Sequence, residues 1–336
     1  MTTPRPTPRS HRFVAAAVLA LVALHSLPAR AQDSEPPFHP PMASPRSRPT
    51  LPSWPPAPFV HNGFYYRNIL AARVNPIGVS NDFRFGYRVR LYGALRDSFV
   101  AAGYLGLSGT LVLSPSFVRP GVLLEIQPLS ILNLSVAYEM LGFFGTFNTT
   151  TSFATPMGNY FSDPFTQRAR DNAAAAGGAQ TALGHVVTLG ALVQVRLGPL
   201  ALRTNFRFVY HSLSLRAGTR YFYEPYLDIL ASNDGWVMVN ETDVIYQTPF
   251  GLNIGARYTQ TDAYYSSDQD PLGSGASKRL GPVFTFTFFE RRRGGFNGPT
   301  IFVLSQWWLQ HRYRNGAEQP TALPYLAFGL SFRGEF

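Results

Sequence analysis

The last twelve residues, Tyr325 to Phe336, read Y-L-A-F-G-L-S-F-R-G-E-F. Leu326, Phe328, Leu330, Phe332 and Phe336 share one parity, and Ala327, Gly329, Ser331, Arg333 and Glu335 share the other. An extended strand therefore puts every large apolar group on one face. Only Gly334 interrupts that face. At the edge of a soluble sheet an uncovered row of this kind is an aggregation site. In a closed barrel whose exterior is lipid, the same row is in its own solvent.

The same rhythm recurs upstream. In Asp82 to Leu91, Phe83, Phe85, Tyr87, Val89 and Leu91 alternate with Arg84, Gly86, Arg88 and Arg90. Val118 to Gln127 sets Val122, Leu124 and Ile126 against Leu123, Glu125 and Gln127, turns at Pro128-Leu129-Ser130, and returns with Leu134, Val136, Tyr138 and Met140 opposed to Ser135, Ala137 and Glu139. Such pairs read as hairpins. His185 to Leu197 turns at Gly198-Pro199 into Leu200 to His211, and Trp236 to Tyr246 turns at Thr248 to Gly251 into Leu252 to Thr259. Trp236 and Tyr246 stand at the two ends of one band, the spacing of interfacial aromatic girdles. Later strands carry Leu280, Phe284, Phe286 and Phe288, then Thr300 to Arg312. Ten segments are clear; the weaker Phe64 to Asn75 and Phe99 to Thr110 make twelve, which is preferred because those apolar stretches are otherwise unpaired. Both counts are even.

Two long interruptions, Phe143 to Leu183 and the aromatic-rich Tyr221 to Gly235, are expected on the same, external side, and further loops run from Thr261 to Ser277 and from Tyr313 to Leu323. The first is long enough to fold over or into the mouth.

The terminal stretch resembles the C-terminal assembly signal of bacterial outer-membrane β-barrel proteins, which ends on an aromatic after alternate apolar residues. The resemblance covers Leu326, Phe328, Leu330, Phe332 and Phe336. It implies an all-β fold, a transmembrane antiparallel up-and-down barrel of about twelve strands, with ten as the alternative. It also implies integral residence in the outer membrane of a Gram-negative bacterium, with outer-membrane lipid and the barrel-assembly machinery as partners.

Composition agrees. Only 14% of the 336 residues are charged, against roughly 25% in soluble domains, and aromatics are abundant. No apolar run reaches the ~18 residues of a spanning helix. The absence of cysteine excludes a disulfide scaffold and lipoprotein anchoring. Arg5, Arg9 and Arg12, the apolar run Phe13 to Leu24 and Ala29-Arg30-Ala31 make residues 1–31 a secretory signal peptide cleaved after Ala31. Residues 32–62 hold ten prolines and read as an extended periplasmic arm, leaving residues 63–336 as the barrel. Residues 1–31 carry four Arg and no acid, so the formal charge of +10 falls by four to +6. The arginines are dispersed and the chain is secreted, which argues against nucleic acid.

The inward faces collect Arg84, Arg88, Arg90, Arg196, Arg203, Arg207 and Arg257 with Glu125, Glu139, Glu241 and Asp243; Arg333 and Glu335 are expected to join this network. In a narrow lumen such charges pair or meet water. Two readings stay open: a salt-bridge network that seals the barrel, or an electrostatic constriction whose arginine excess favours small anionic solutes. No catalytic residues, cofactor or metal site are expected. His185 and His211, near Ser212 and Ser214, motivate the alternative of a lipid-modifying hydrolase, but carry no recognisable local motif. Asp262, Asp268 and Asp270 lack the spacing of a calcium loop. A soluble periplasmic β-sandwich binding protein is the rival fold.

Overall fold

The structure, a computed structural model, describes residues 62–92, 103–147, 150–156, 167–265, 275–290, 294–314 and 322–336. The signal peptide and nearly all of the proline-rich arm, the Arg291-Arg292-Arg293 run, Asp268 and Asp270 lie outside the described residues.

The chain runs through β1 (Gly63–Val74), β2 (Gly78–Arg90), β3 (Tyr104–Leu113), β4 (Phe117–Leu129) and β5 (Leu132–Phe144). The next connection contains β6 (Ser152–Phe153) and helix α1 (Gln167–Ala175). Then follow β7 (Thr181–Leu197), β8 (Leu200–Leu213), β9 (Tyr221–Glu224), β10 (Ile229–Ser232), β11 (Gly235–Gln247) and β12 (Leu252–Ala263). β13 (Ser277–Thr287), β14 (Gly294–His311) and β15 (Tyr325–Glu335) complete it. All strands except β6, β9 and β10 form one closed antiparallel barrel of twelve, in chain order, with β15 paired to both β14 and β1. Twelve, not ten, is the strand number: the weak segment from Phe64 is strand β1, and the second weak segment is strand from Tyr104, its residues 99–102 lying outside the described residues.

Alternation decides which side chain faces which medium. In β2, Phe83, Phe85, Tyr87 and Val89 are exposed while Arg84, Gly86 and Arg88 turn inward; in β4, Val122, Leu124 and Ile126 are exposed while Leu123, Glu125 and Gln127 are buried. Aromatics gather at both rims. Near the end where β1 begins and β15 ends, called the terminus end below, Phe64 stacks on Phe85 at 5.8 Å, and Tyr66 meets Phe332 and Phe336. Toward the other end Tyr210 lies 5.3 Å from Trp236. The interruption at Gly334 is filled, because the Tyr66 ring covers it and a Cβ there would lie 2.3 Å from that ring.

Connections are asymmetric. Several at the terminus end are tight: Leu197 pairs directly with Leu200, and Gly198 takes a φ of 61°, the left-handed value that a two-residue hairpin turn favours at its first position. The chain leaves the barrel at the opposite end after Phe144, Leu213, Ala263 and His311, and the two longest gaps between barrel strands, after Phe144 and Leu213, are both there; a thirteen-residue gap follows Arg90 at the end where β1 begins.

The connection 214–234 corrects the sequence reading. Instead of an external loop, β9 and β10 form a hairpin that joins β6 in a small separate sheet, and this sheet sits inside the lumen. Tyr221, Phe222, Tyr223, Ile229 and Leu230 are almost wholly buried. Phe222, Leu227, Ile229 and Ala231 pack against Val112, Phe117, Leu141, Phe143, Val186, Val209, Val237, Val239 and Ala263 of the wall. The reason is apolar complementarity: those wall residues face inward at the end far from the termini, and the hairpin's own side chains lose water by meeting them.

The seam makes a prediction. The Phe336 amide donates to the Phe64 carbonyl at 2.9 Å and its ring packs on Tyr66. Deleting Phe336 is expected to lower folded yield severalfold on a heat-modifiable detergent gel, leaving the melting temperature of the molecules that do fold within a few degrees of wild type. An unchanged yield contradicts the assembly role.

Candidate functional site in the barrel lumen

Below the apolar seat of the hairpin the inward face becomes polar. Glu125 receives Arg84 at 3.1 Å, Arg88 at 3.5 Å and the Tyr65 hydroxyl at 3.2 Å. Arg88 is sandwiched between the rings of Tyr65 (3.7 Å) and Tyr104 (4.6 Å), a geometry that holds a guanidinium by its faces as well as its edge. On the far wall Arg257 grips Asp243 through both Nε (2.6 Å) and Nη2 (2.9 Å). Arg207 meets Glu241 at 3.1 Å. Arg203 stands opposite Asp243 in the β8–β11 register. Nearer the hairpin Arg119 donates to Glu139, its Nε at 2.9 Å.

The sequence-predicted residues therefore divide. Arg84, Arg88 and Glu125 form one group; Arg203, Arg207, Glu241, Asp243 and Arg257 form another; Glu139 joins Arg119. Arg90 sits at the terminus end of β2, where its backbone amide is bound by Asn62. Arg196 does not line the lumen: it is exposed at the β7–β8 turn and donates to the Gly198 carbonyl at 3.0 Å. Its parity is inward, but at the rim the wall has ended and parity no longer confines it. Arg333 pairs with Glu290 at the same end, apart from both groups.

Several lumenal residues were missed. Arg67 lies 3.7 Å from Asp82. Arg73 donates to the carbonyls of Pro225 and Tyr226 at the hairpin tip, and Arg314 reaches Asp228 at 3.3 Å. Arg119 shares parity with Leu123, Glu125 and Gln127, and Arg279 shares parity with Val283 and Thr285 opposite the Leu280–Phe284–Phe286 face, so the alternation rule extended to the ends of β4 and β13 finds them; the sequence reading assigns β1 no faces, and Arg67 and Arg73 go unread with it.

The histidine–serine pairs do not meet as nucleophile and base. His211 is fully buried, its ring 5.6 Å from Phe222, and neither nitrogen has a hydrogen-bond partner among the described residues. Ser212 donates instead to Asp234 at 2.7 Å. His185 is exposed on the outer face, beside the Tyr138 hydroxyl.

No family model matches the chain, and no curated protein matches it. Solved structures with which it aligns are bacterial barrels. They include the outer membrane protein Omp33 of Acinetobacter baumannii, at 10% identity, covering 82% of this chain and 99% of that one with a TM-score of 0.36. The β-domain of the Bordetella autotransporter BrkA aligns at 10% identity over 82% and 99%, TM-score 0.41. The translocator domain of the Neisseria meningitidis autotransporter NalP aligns at 11% over 82% and 89%, TM-score 0.37.

The hairpin carries one titratable group in an unusual state. Glu224 is buried and its Oε2 has no hydrogen-bond partner among the described residues; burial pushes the carboxyl up to about 7, against the pull of Arg119 and Arg73. A released hairpin returns Glu224 to 4.5, its ordinary value, so the seated state binds the extra proton between about 4.5 and 7. Seating is strongest below that window and weakens as pH rises through it. The thermal midpoint of wild type should fall between pH 5 and pH 8 more than that of Glu224→Gln, followed by circular dichroism. Equal slopes in both proteins contradict the assignment.

Proposed function

We propose that the chain is an integral barrel of the Gram-negative outer membrane whose lumen is a narrow, anion-preferring passage closed at its external end by its own 214–234 connection. Support for the membrane setting comes from the apolar outer face, the aromatic rims and the placement of the two longest connections, after β5 and β8, opposite the end where β1 begins and β15 ends, an arrangement that fits a periplasmic location for that end. The signal peptide expected at residues 1–31 belongs to the same reading, as do outer-membrane lipid and the barrel-assembly machinery as partners.

The observation that carries the closure is the seating of β9 and β10, whose Phe222, Leu230 and Ala231 are wholly buried. Burying each large side chain is worth roughly 1.5–3 kcal/mol, so the closed form is the resting one. The charged groups below it favour anions over cations, because guanidiniums outnumber carboxylates there. A second reading, a permanently sealed scaffold, draws on the fact that Glu125, Glu139, Glu241 and Asp243 are each paired with arginine. The proposed role involves no catalysis.

Planar-bilayer recording separates the two. Wild type is expected to be nearly silent. Replacing residues 221–232 with a Gly-Ser linker, or burying a charge with Leu230→Asp, which costs several kcal/mol, should open a conductance whose reversal potential shows anion preference. Adding Arg203→Ala with Arg207→Ala should reduce that preference. Full conductance in wild type contradicts the closure; silence in both opened variants, with the barrel folded, leaves the sealed scaffold.

A further inference from the structure

Arg279 is the lumenal arginine that the charge pairs leave unexplained. It lies near the external end of β13 and is 8% exposed, and its Nε and Nη1 have no hydrogen-bond partner among the described residues. It forms no ion pair with a carboxylate among the described residues. Its guanidinium instead lies 4.2 Å from the centre of the Tyr325 ring and 5.9 Å from that of Trp308. Its position is set by an irregularity in the sheet: pairing between β13 and β14 slips between Lys278 and Arg279, so Lys278 faces Gln310, Arg279 faces Trp308, and Leu309 is left over. A bulge of this kind re-aims side chains locally.

Arg279 opens onto a cavity of about 340 Å³ beside the hairpin tip. The charged lining is Arg73, Arg207, Arg257, Arg279 and a single carboxylate, Glu241. Three of those arginines are engaged: Arg73 by the hairpin carbonyls, Arg207 by Glu241 and Arg257 by Asp243. Arg207 keeps one buried N–H, its Nε, unmet, but Arg279 keeps two, Nε and Nη1, and has no carboxylate or carbonyl partner among the described residues. A buried donor left unsatisfied is costly, and an anion entering the cavity removes that cost. Leu227, Leu304 and the Tyr325 ring supply an apolar wall on the same cavity. The volume falls at the low end of small-molecule sites, well above what a lone inorganic ion fills.

We propose that this cavity binds a small organic carboxylate, with Arg279 receiving the carboxylate and the Tyr325 and leucine wall receiving its hydrocarbon part. The choice of an anion rests on the reading of the lumen as an anion-preferring passage, but binding does not require conduction. Titration in detergent micelles therefore tests it separately: silent bilayers leave it standing, and absent binding leaves the hairpin closure standing.

The experiment is isothermal titration of folded protein, at fixed ionic strength, with benzoate, the neutral isostere benzamide and inorganic phosphate. Benzoate is expected to bind one to one, and benzamide and phosphate at least tenfold more weakly. Arg279→Gln should weaken benzoate at least tenfold. Ala71→Leu, which fills the cavity from the β1 wall and leaves Arg279 intact, should do the same and carries the test if Arg279→Gln fails to fold. No measurable benzoate binding, or unchanged affinity in either folded variant, overturns the site. Phosphate binding as tight as benzoate overturns the organic ligand class.

Discussion

Inside a hydrocarbon layer no water can satisfy a backbone N–H or C=O, so a sheet that crosses it cannot have an edge. Here the requirement falls on one seam, β1 against β15, which runs unbroken from Tyr65 opposite Glu335 to Val74 opposite Leu326. Crowding along it explains why parts of the terminal strand lack side chains. A Cβ on Gly329 would stand 2.2 Å from the Leu70 carbonyl oxygen and 2.7 Å from the Phe302 ring. Closing the seam fixes parity for the whole circumference, and parity then assigns each residue to lipid or lumen.

A lumen ringed by twelve strands is too wide for wall side chains alone to fill, which they just manage at about eight strands. The chain solves the two halves differently. At the end far from the termini the wall turns Val, Leu and Phe inward and the β9–β10 hairpin occupies the space as a core would. Toward the other end arginines and carboxylates hold one another across neighbouring strands. The hairpin is tied to both walls by polar contacts, Arg73 to its tip, Arg314 to Asp228, and the Tyr265 hydroxyl to the Leu230 carbonyl. Apolar seating and these polar ties together hold the hairpin in the lumen.

Most of the wall was legible in the sequence because period-two alternation is a local property. Phe83 to Leu91 and Leu326 to Phe336 each declare their faces without knowledge of any partner. The weaker segments were placed by the need for pairing, and the chain from Gly63 and from Tyr104 is strand. The hairpin was not legible, since Tyr221 to Gly235 reads as an aromatic loop until its environment is known. A clue was present in the inward parity of Val237 and Val239: valines facing a water-filled pore demand a cover. Arg196 shows the opposite limit, where parity is correct but the wall has ended. The slip at Leu309 that turns Arg279 toward Trp308 depends on a mismatch between two strands, which one strand's sequence does not display.

The central claim is that the hairpin is seated inside the barrel, and the absence of cysteine makes it directly measurable. Single-cysteine variants Leu230→Cys, in the buried hairpin, and Ala217→Cys, at an exposed position of the same connection, can be treated on intact cells with a membrane-impermeant maleimide and scored on the folded band. The seated hairpin predicts rapid labelling at 217 and strong protection at 230. Equal labelling at the two positions would contradict it.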